Sequence, residues 1–127
     1  MSSYLLDTNI LLDALNEKRG RKELLRNLVL QGHRLACCAI IMAEVYAGMQ
    51  PHESFITDQF LASLDWYAAK PATARRAGRL RFDYARQGIT LSLTDTLIAA
   101  ISLEHDLILI TGNRKHFPMP DLSIYPL

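Results

Sequence analysis

Apolar residues in this chain alternate between short continuous runs and stretches with helical spacing, and that alternation predicts its architecture. Tyr4 to Asp7 reads as a short strand that stops at a polar Thr8-Asn9 turn. Ile10, Leu11, Leu12 and Leu15 then recur at helical spacing up to the charged break Glu17-Lys18-Arg19-Gly20-Arg21. Lys22 to Gln31, with Leu24, Leu25, Leu28 and Val29, predicts a second amphipathic helix ending at Gly32. Leu35 to Ala39 reads as a buried strand and Ile40 to Met49 as a helix closed by Gly48 and Pro51. Glu53 to Leu64 predicts a further helix, Trp66 to Ala68 a short strand, and Ala72 to Gln87 a strongly basic helix with Gly88 at its C′ position. Ser92-Leu93-Thr94-Asp95 starts a helix that runs to His105. Leu107 to Ile110 reads as a strand covered on both faces, and Leu122 to Tyr125 as an edge strand guarded by Pro126. Strands alternating with helices imply an α/β fold whose sheet is mostly parallel and covered by helices on both faces.

Three carboxylates interrupt these apolar stretches: Asp7 after Tyr4-Leu5-Leu6, Glu44 within Ile40-Ile41-Met42-Ala43-Glu44-Val45-Tyr46, and Asp95 before Thr96-Leu97-Ile98-Ala99-Ala100. Desolvating a carboxylate costs several kcal/mol unless a cation or hydrogen bonds compensate it, so these placements point to a shared positive ligand, a divalent metal ion first of all. In an open parallel sheet, ligands bind beyond the carboxyl ends of the strands near a topological switch point. Asp7 ends the first strand, Glu44 lies early in the helix after the second, and Asn113 follows the strand at Leu107 to Ile110. Asp95 sits at the start of the helix leading into that strand, where the helix dipole favours its ionised form. All four can face one crevice. Structural roles stay open for two of them: Asp95 can complete a capping box with Ser92, or follow Thr94 as the cap, and Asp7 can serve an Asx turn.

Composition narrows the class. With 127 residues, half of them hydrophobic, residues 1–127 fit a single domain with its own core. Fourteen Lys and Arg against 13 Asp and Glu leave a formal charge of +1, so nucleic-acid binding must rest on local charge and not on the total. Leu35 to Gly48, the most apolar stretch, falls short of the roughly 20 residues of a bilayer span. Asp7 and Asn9 break the first apolar run before a secretory h-region can form, so a soluble, cytoplasmic protein without membrane contact is expected. The only cysteines, Cys37 and Cys38, are adjacent in a strand-like run. They are expected to be reduced core residues, since two cysteines without spacing make no zinc or CxxC site.

Four segments, Leu5-Leu6-Asp7-Thr8-Asn9-Ile10-Leu11-Leu12-Asp13, Ala43-Glu44-Val45-Tyr46-Ala47-Gly48, Thr94-Asp95-Thr96-Leu97-Ile98-Ala99-Ala100 and Ile110-Thr111-Gly112-Asn113-Arg114-Lys115-His116-Phe117, resemble in order and spacing the motifs of the PIN-domain family. Within it, the chain looks like the ribonuclease toxins of VapBC-type toxin–antitoxin pairs. The resemblance implies a three-layer α/β/α fold with a five-stranded, mostly parallel sheet and Mg²⁺- or Mn²⁺-dependent endoribonuclease activity. It also implies a homodimer and a cognate antitoxin. Carried over residue by residue, Asp7, Glu44 and Asp95 are the metal-binding acids and Asn113 joins them as a catalytic residue. The last motif departs from the pattern: the family often has Asp where this chain has His116, and Asn113 is itself neutral, so the fourth carboxylate is missing.

The chemistry of the residues agrees with that reading. Mg²⁺ takes oxygen ligands and keeps several waters, so two or three carboxylates with substrate phosphate suit it. The metal acidifies a water for attack on phosphorus, and a second ion roughly 3.5–4 Å away would steady the leaving oxygen. Thr8, Asn9, Thr94, Arg114 and Lys115 are the expected substrate contacts, because they flank these acids and Asn113. A basic stripe through Arg75, Arg76 and Arg79, with Arg81, Arg86, Arg19, Arg21 and Lys22 elsewhere, can follow an RNA backbone or form ordinary solvated helix faces. His116 is expected to pack beside Phe117. Two other functions fit parts of the sequence: a phosphohydrolase using Asp7 as nucleophile, and a non-catalytic nucleic-acid or protein-binding module on the same scaffold.

Overall fold

A computed structural model describes residues 1–127. Its strands are β1 (Ser3–Leu6), β2 (Arg34–Cys37), β3 (Asp65–Trp66) and β4 (Ile108–Ile110). Its α-helices are α1 (Thr8–Leu15), α2 (Arg21–Leu30), α3 (Ala39–Gly48), α4 (Ser54–Ala62), α5 (Pro71–Arg86) and α6 (Leu93–Glu104). Short 3₁₀ turns occupy Pro51–Glu53 and Arg114–His116. The expected elements are present with ends displaced by one or two residues, except the strand expected at Leu122 to Tyr125, so the sheet has four strands and not five. Pro71 starts α5 one residue early because its fixed φ suits the first helical turn. Gly32 and Gly88 follow α2 and α5 with φ of 88° and 81°, as the sequence predicts.

The sheet is parallel throughout and runs in the order β3-β2-β1-β4. The chain steps from β1 to β2 to β3 and then returns across the sheet to β4. With right-handed crossovers, the returning α5–α6 pair lies on the face opposite α1–α2. The point where the direction reverses lies between β1 and β4, which pair in the register Leu5↔Leu109 and Leu6↔Ile110. The fifth strand contracts to a single parallel bridge, Leu109↔Ile124. Local chemistry explains the contraction. The Leu122 N–H turns back to the Met119 carbonyl, and Pro126 has no N–H to extend the ladder, so only the bonds from Leu109 to Ser123 and from Tyr125 to Leu109 remain.

The core lies between sheet and helices. Leu5 and Leu6 of β1, Leu109 and Ile110 of β4, Ile10 and Leu11 of α1, Ile41 and Val45 of α3, and Ile98 and Ile101 of α6 are fully buried. Each such Leu or Ile contributes about 1.5–3 kcal/mol relative to exposure. No helix is long and apolar enough to cross a membrane.

The edge strand β3 has only two residues and needs help from side chains. Arg34 supplies it, donating from Nε and Nη2 to Asp65 Oδ2 and Oδ1 at 2.5 and 2.7 Å. This fork holds the Asp65 carboxyl below the usual carboxylate range. A lowered carboxyl contributes stability that is present above its unfolded-state value and is lost as pH falls through the folded-state value. Asp65→Asn should therefore melt earlier than the wild type at neutral pH, and the gap should close as pH drops below about 4. Thermal scans across that range check it.

Cys37 ends β2 and Cys38 caps α3; both are unpaired and fully buried. Burial pushes the Cys37 thiol up to about 12 and raises Cys38 as well, so both stay protonated and unreactive at neutral pH. Thiol reagents should label neither cysteine in the native protein at pH 8 and both after denaturation. Cys37→Ala should cost about 1–2 kcal/mol through lost packing. Labelling kinetics read by mass, together with denaturant melts, provide the test.

Candidate active site

Asp7 leaves the sheet at the carboxyl end of β1 and caps the N-terminus of α1, with its own N–H donating to the Ile110 carbonyl of β4 at 3.0 Å. The residue is 5% exposed and has no Lys or Arg beside it. Three donors hold the carboxylate: Thr8 N–H on Oδ1 at 2.8 Å, Asn9 Nδ2 on Oδ2 at 3.2 Å, and the Thr111 hydroxyl on Oδ2 at 2.7 Å. Asn9 also accepts from the Gly112 N–H at 2.8 Å, and Thr111 Oγ1 accepts from the Asn113 N–H at 3.0 Å. The loops after β1 and β4 are thus laced together across 104 residues of sequence. Gly112 eases this approach, since a Cβ there would lie 3.1 Å from Asn9 Oδ1, a tight contact that Asn9 would have to yield to by a few tenths of an ångström.

Asp7, Glu44, Asp95, Asn113, Thr8, Asn9 and Thr94 line one crevice of about 490 Å³, together with His116. Glu44 accepts from the Thr8 hydroxyl at 2.6 Å. It is exposed, so the desolvation argument from its apolar neighbours fails for this residue: α3 is apolar on all sides, yet only Ile41 and Val45 are buried. Ser92 is the cap of α6, accepting from the Asp95 N–H at 3.1 Å, and Thr94 is not. The Asp95 carboxylate returns no bond to Ser92 and faces the crevice, where Oδ2 lies 3.4 Å from His116 Nδ1. His116 does not pack beside Phe117. Its side chain is 56% exposed, while Phe117 is buried.

The carboxylates share a crevice without closing into a three-acid cluster, because Glu44 leans on Thr8 and Asp95 on His116. The donor set nonetheless fits a hard divalent cation. It offers oxygens, Asp7 is a buried anion with no cation of its own, and Mg²⁺ is held through one or two carboxylates plus water and phosphate. Asp7 would anchor it, with Glu44 and Asp95 at the rim. Thr111 is the residue the sequence reading missed. Its only signal is its position directly after β4 at the switch point, and its partner is distant in sequence.

The expected basic contacts divide. Arg114 and Lys115 are exposed and do not line the crevice, and Arg114 turns instead to a neighbouring pocket. On α5, Arg76 and Arg79 approach Asp121 and Asp83, and Arg79 and Arg86 lie against the Phe82 ring. None of the α5 arginines lines the crevice.

The PIN-domain family model matches residues 4–120. Ribonuclease VapC19 of Mycobacterium tuberculosis is 33% identical over 120 residues, spanning 94% of this chain and 96% of its own. Among solved structures, VapBC2 from Rickettsia felis bound to a DNA fragment from their promoter superposes with a TM-score of 0.81 at 25% identity, covering 97% of each chain. A toxin–antitoxin complex from Klebsiella pneumoniae gives 0.77 at 28%, covering 97% and 96%. Four motifs folded into one acidic crevice and a family match over nearly the whole length lead to one conclusion: this chain belongs to the PIN-domain family, in its VapC group.

Proposed function

We propose that this chain is a metal-dependent endoribonuclease that hydrolyses RNA phosphodiester bonds and serves as the toxin of a toxin–antitoxin pair. The observation that carries the reading is the buried, hydrogen-bonded Asp7 without a cationic neighbour, set at the switch point of a parallel sheet beside Glu44 and Asp95. The name of its relative, ribonuclease VapC19, supports the reaction class. Bound Mg²⁺ or Mn²⁺ would supply Lewis acidity toward the phosphate and toward water. The chain's own residues do the rest. Thr111 and Asn9 lock the Asp7 rotamer, so that Asp7 would hold the cation in a fixed place. Glu44 and Asp95 would add their charge to the cation's binding, and Glu44 also holds the Thr8 hydroxyl at the mouth of the crevice. Asn113, at the same crevice, would turn its carbonyl oxygen toward the cation or donate its amide N–H to substrate phosphate. The phosphohydrolase reading with Asp7 as nucleophile loses ground, since no lysine lines the crevice to steady the charge of a phosphoryl group transferred to Asp7.

For the partner, an apolar groove of about 560 Å³ runs between α1, α2 and α4, lined by Leu15, Leu25, Val29, Leu30, Ile56 and Phe60. Leu30 and Ile56 are 74% and 63% exposed, a cost that an occupant removes. An amphipathic helix of an antitoxin suits such a groove, and the solved toxin–antitoxin complex of similar fold supports that occupant. A homodimer is also proposed. The exposed small residues Ala43, Ala47 and Gly48 of α3 offer a second copy close approach.

Asp7→Asn, Glu44→Gln and Asp95→Asn should each lower RNA cleavage by about a hundredfold or more. EDTA should abolish cleavage, and Mg²⁺ or Mn²⁺ should restore it. Asp7→Ala should in addition cost about 1 kcal/mol of stability, because it removes the α1 cap. Asn113→Asp adds a charge and should tighten metal binding in a calorimetric titration. A wild type that binds metal but cuts no RNA would point to the binding-module alternative. For the groove, Leu30→Glu should release the antitoxin on gel filtration and leave the cleavage rate of the free toxin unchanged; retention of the complex would reject this docking site.

A further inference from the structure

Beside the acidic crevice lies a second pocket, of about 330 Å³, whose charged side chains are Arg21 and Arg114 and whose lining also includes Leu127 with its carboxylate. Arg21 is the first residue of α2, and Arg114 begins the turn after Asn113. Thr111, Gly112 and Tyr125 complete the near wall. Arg19, Arg34, Arg76 and Arg79 each have an aspartate within reach, whereas Arg21 and Arg114 have none. Arg21 Nε is buried and has no hydrogen-bond partner. A guanidinium donor removed from water and left unbonded costs about 1–3 kcal/mol or more, a cost that an anion in the pocket would offset.

The position of the pocket identifies the anion. Its wall is the Thr111-Gly112 segment, the same segment that holds Asp7 through the Thr111 hydroxyl at 2.7 Å and Asn9 through the Gly112 N–H at 2.8 Å. A ligand with one phosphate in the crevice and another in this pocket carries at least two linked phosphates, as a strand of RNA does. We infer that Arg21, together with Arg114, forms a subsite for a backbone phosphate of the RNA next to the one that is cut. This inference rests on the ribonuclease reading. The guanidinium fork suits phosphate oxygens, and a contact of this kind sets the register of the strand without reading its bases. Arg21 is a positioning residue: it touches a neighbouring phosphate and no reacting atom.

The test uses binding of a labelled single-stranded RNA in EDTA, where cleavage is silent, followed by steady-state cleavage in Mg²⁺. Arg21→Met keeps the aliphatic stem. It should weaken binding about tenfold at low salt, the equivalent of one lost charge-assisted hydrogen bond. The slope of log K against log salt should become shallower by about 0.7, one phosphate's worth on a single strand. KM should rise while kcat at saturating RNA holds, and Arg21→Lys should recover most of the slope. Arg114→Met, in an exposed turn, should give the same pattern and serves if Arg21→Met melts early. An unchanged slope in both methionine variants would overturn the subsite. So would a mononucleotide that binds as tightly as the RNA and is lost in Arg21→Met, since the pocket would then be a small-nucleotide site. A wild type that neither binds nor cuts RNA removes the ribonuclease reading and this inference together. A wild type that cuts RNA, with variants of unchanged slope, removes this inference alone.

Discussion

A carboxylate buried without a cation is the constraint on which this fold's functional end depends. Removing Asp7 from water costs several kcal/mol, and the protein meets that cost with three hydrogen-bond donors and the N-terminus of α1. Two of the donors come from the turn that follows Asp7, and the third comes from the loop after β4. The Asp7 N–H, in turn, extends the β1–β4 ladder by one bond to Ile110. The carboxylate is therefore fixed by the same bonds that close the switch point. Its rotamer cannot change without breaking contacts between two loops that are far apart in sequence. Such a group is preorganised to hold a cation.

The helices and most of the strands were legible because their signals are local. Apolar periodicity marked α1 and α2, glycines marked the ends of α2 and α5, and Asp7, Asn113 and the start of α6 fell at the expected end of the sheet. What the sequence concealed is what depends on a distant partner. Thr111 looks like any residue after a strand until its hydroxyl is seen on Asp7. The expected last strand had the right apolar pattern, but Leu122 spends its N–H in a turn with Met119. Glu44 shows the complementary error. A residue surrounded by apolar neighbours in sequence is buried only if the fold covers its side of the helix, and α3 is covered on the side of Ile41 and Val45.

Charge illustrates the same distinction between total and place. A formal +1 says nothing about a phosphate chain, and the most basic helix, α5, proves a poor candidate for holding one, because Arg76 and Arg79 have acids nearby and the α5 arginines lie away from the crevice. The arginines that matter are two of those without an acidic partner, the two that share a pocket beside the crevice. Arg21 and Arg114 stand apart in sequence by most of the chain, and they meet because the α1–α2 connection and the β4 loop end at the same side of the sheet.

On the proposed function, this arrangement resolves an electrostatic conflict. A polyanion has to bring a phosphate into a crevice lined by Asp7, Glu44 and Asp95, which repel it unless a cation is present. A crevice with a fourth acid would bind cations more strongly and repel the bare strand more strongly as well. This chain has Asn113 and His116 at that wall, and it places Arg21 and Arg114 one step along, on the far side of Gly112. The carboxylates can then be specialised for the metal and the arginines for the backbone. Gly112, whose lack of a side chain lets Asn9 approach without crowding, forms the thin partition between the two. Their separation is fixed by the hydrogen bonds that hold Asp7, so one network sets both where the cation sits and where the neighbouring phosphate is held.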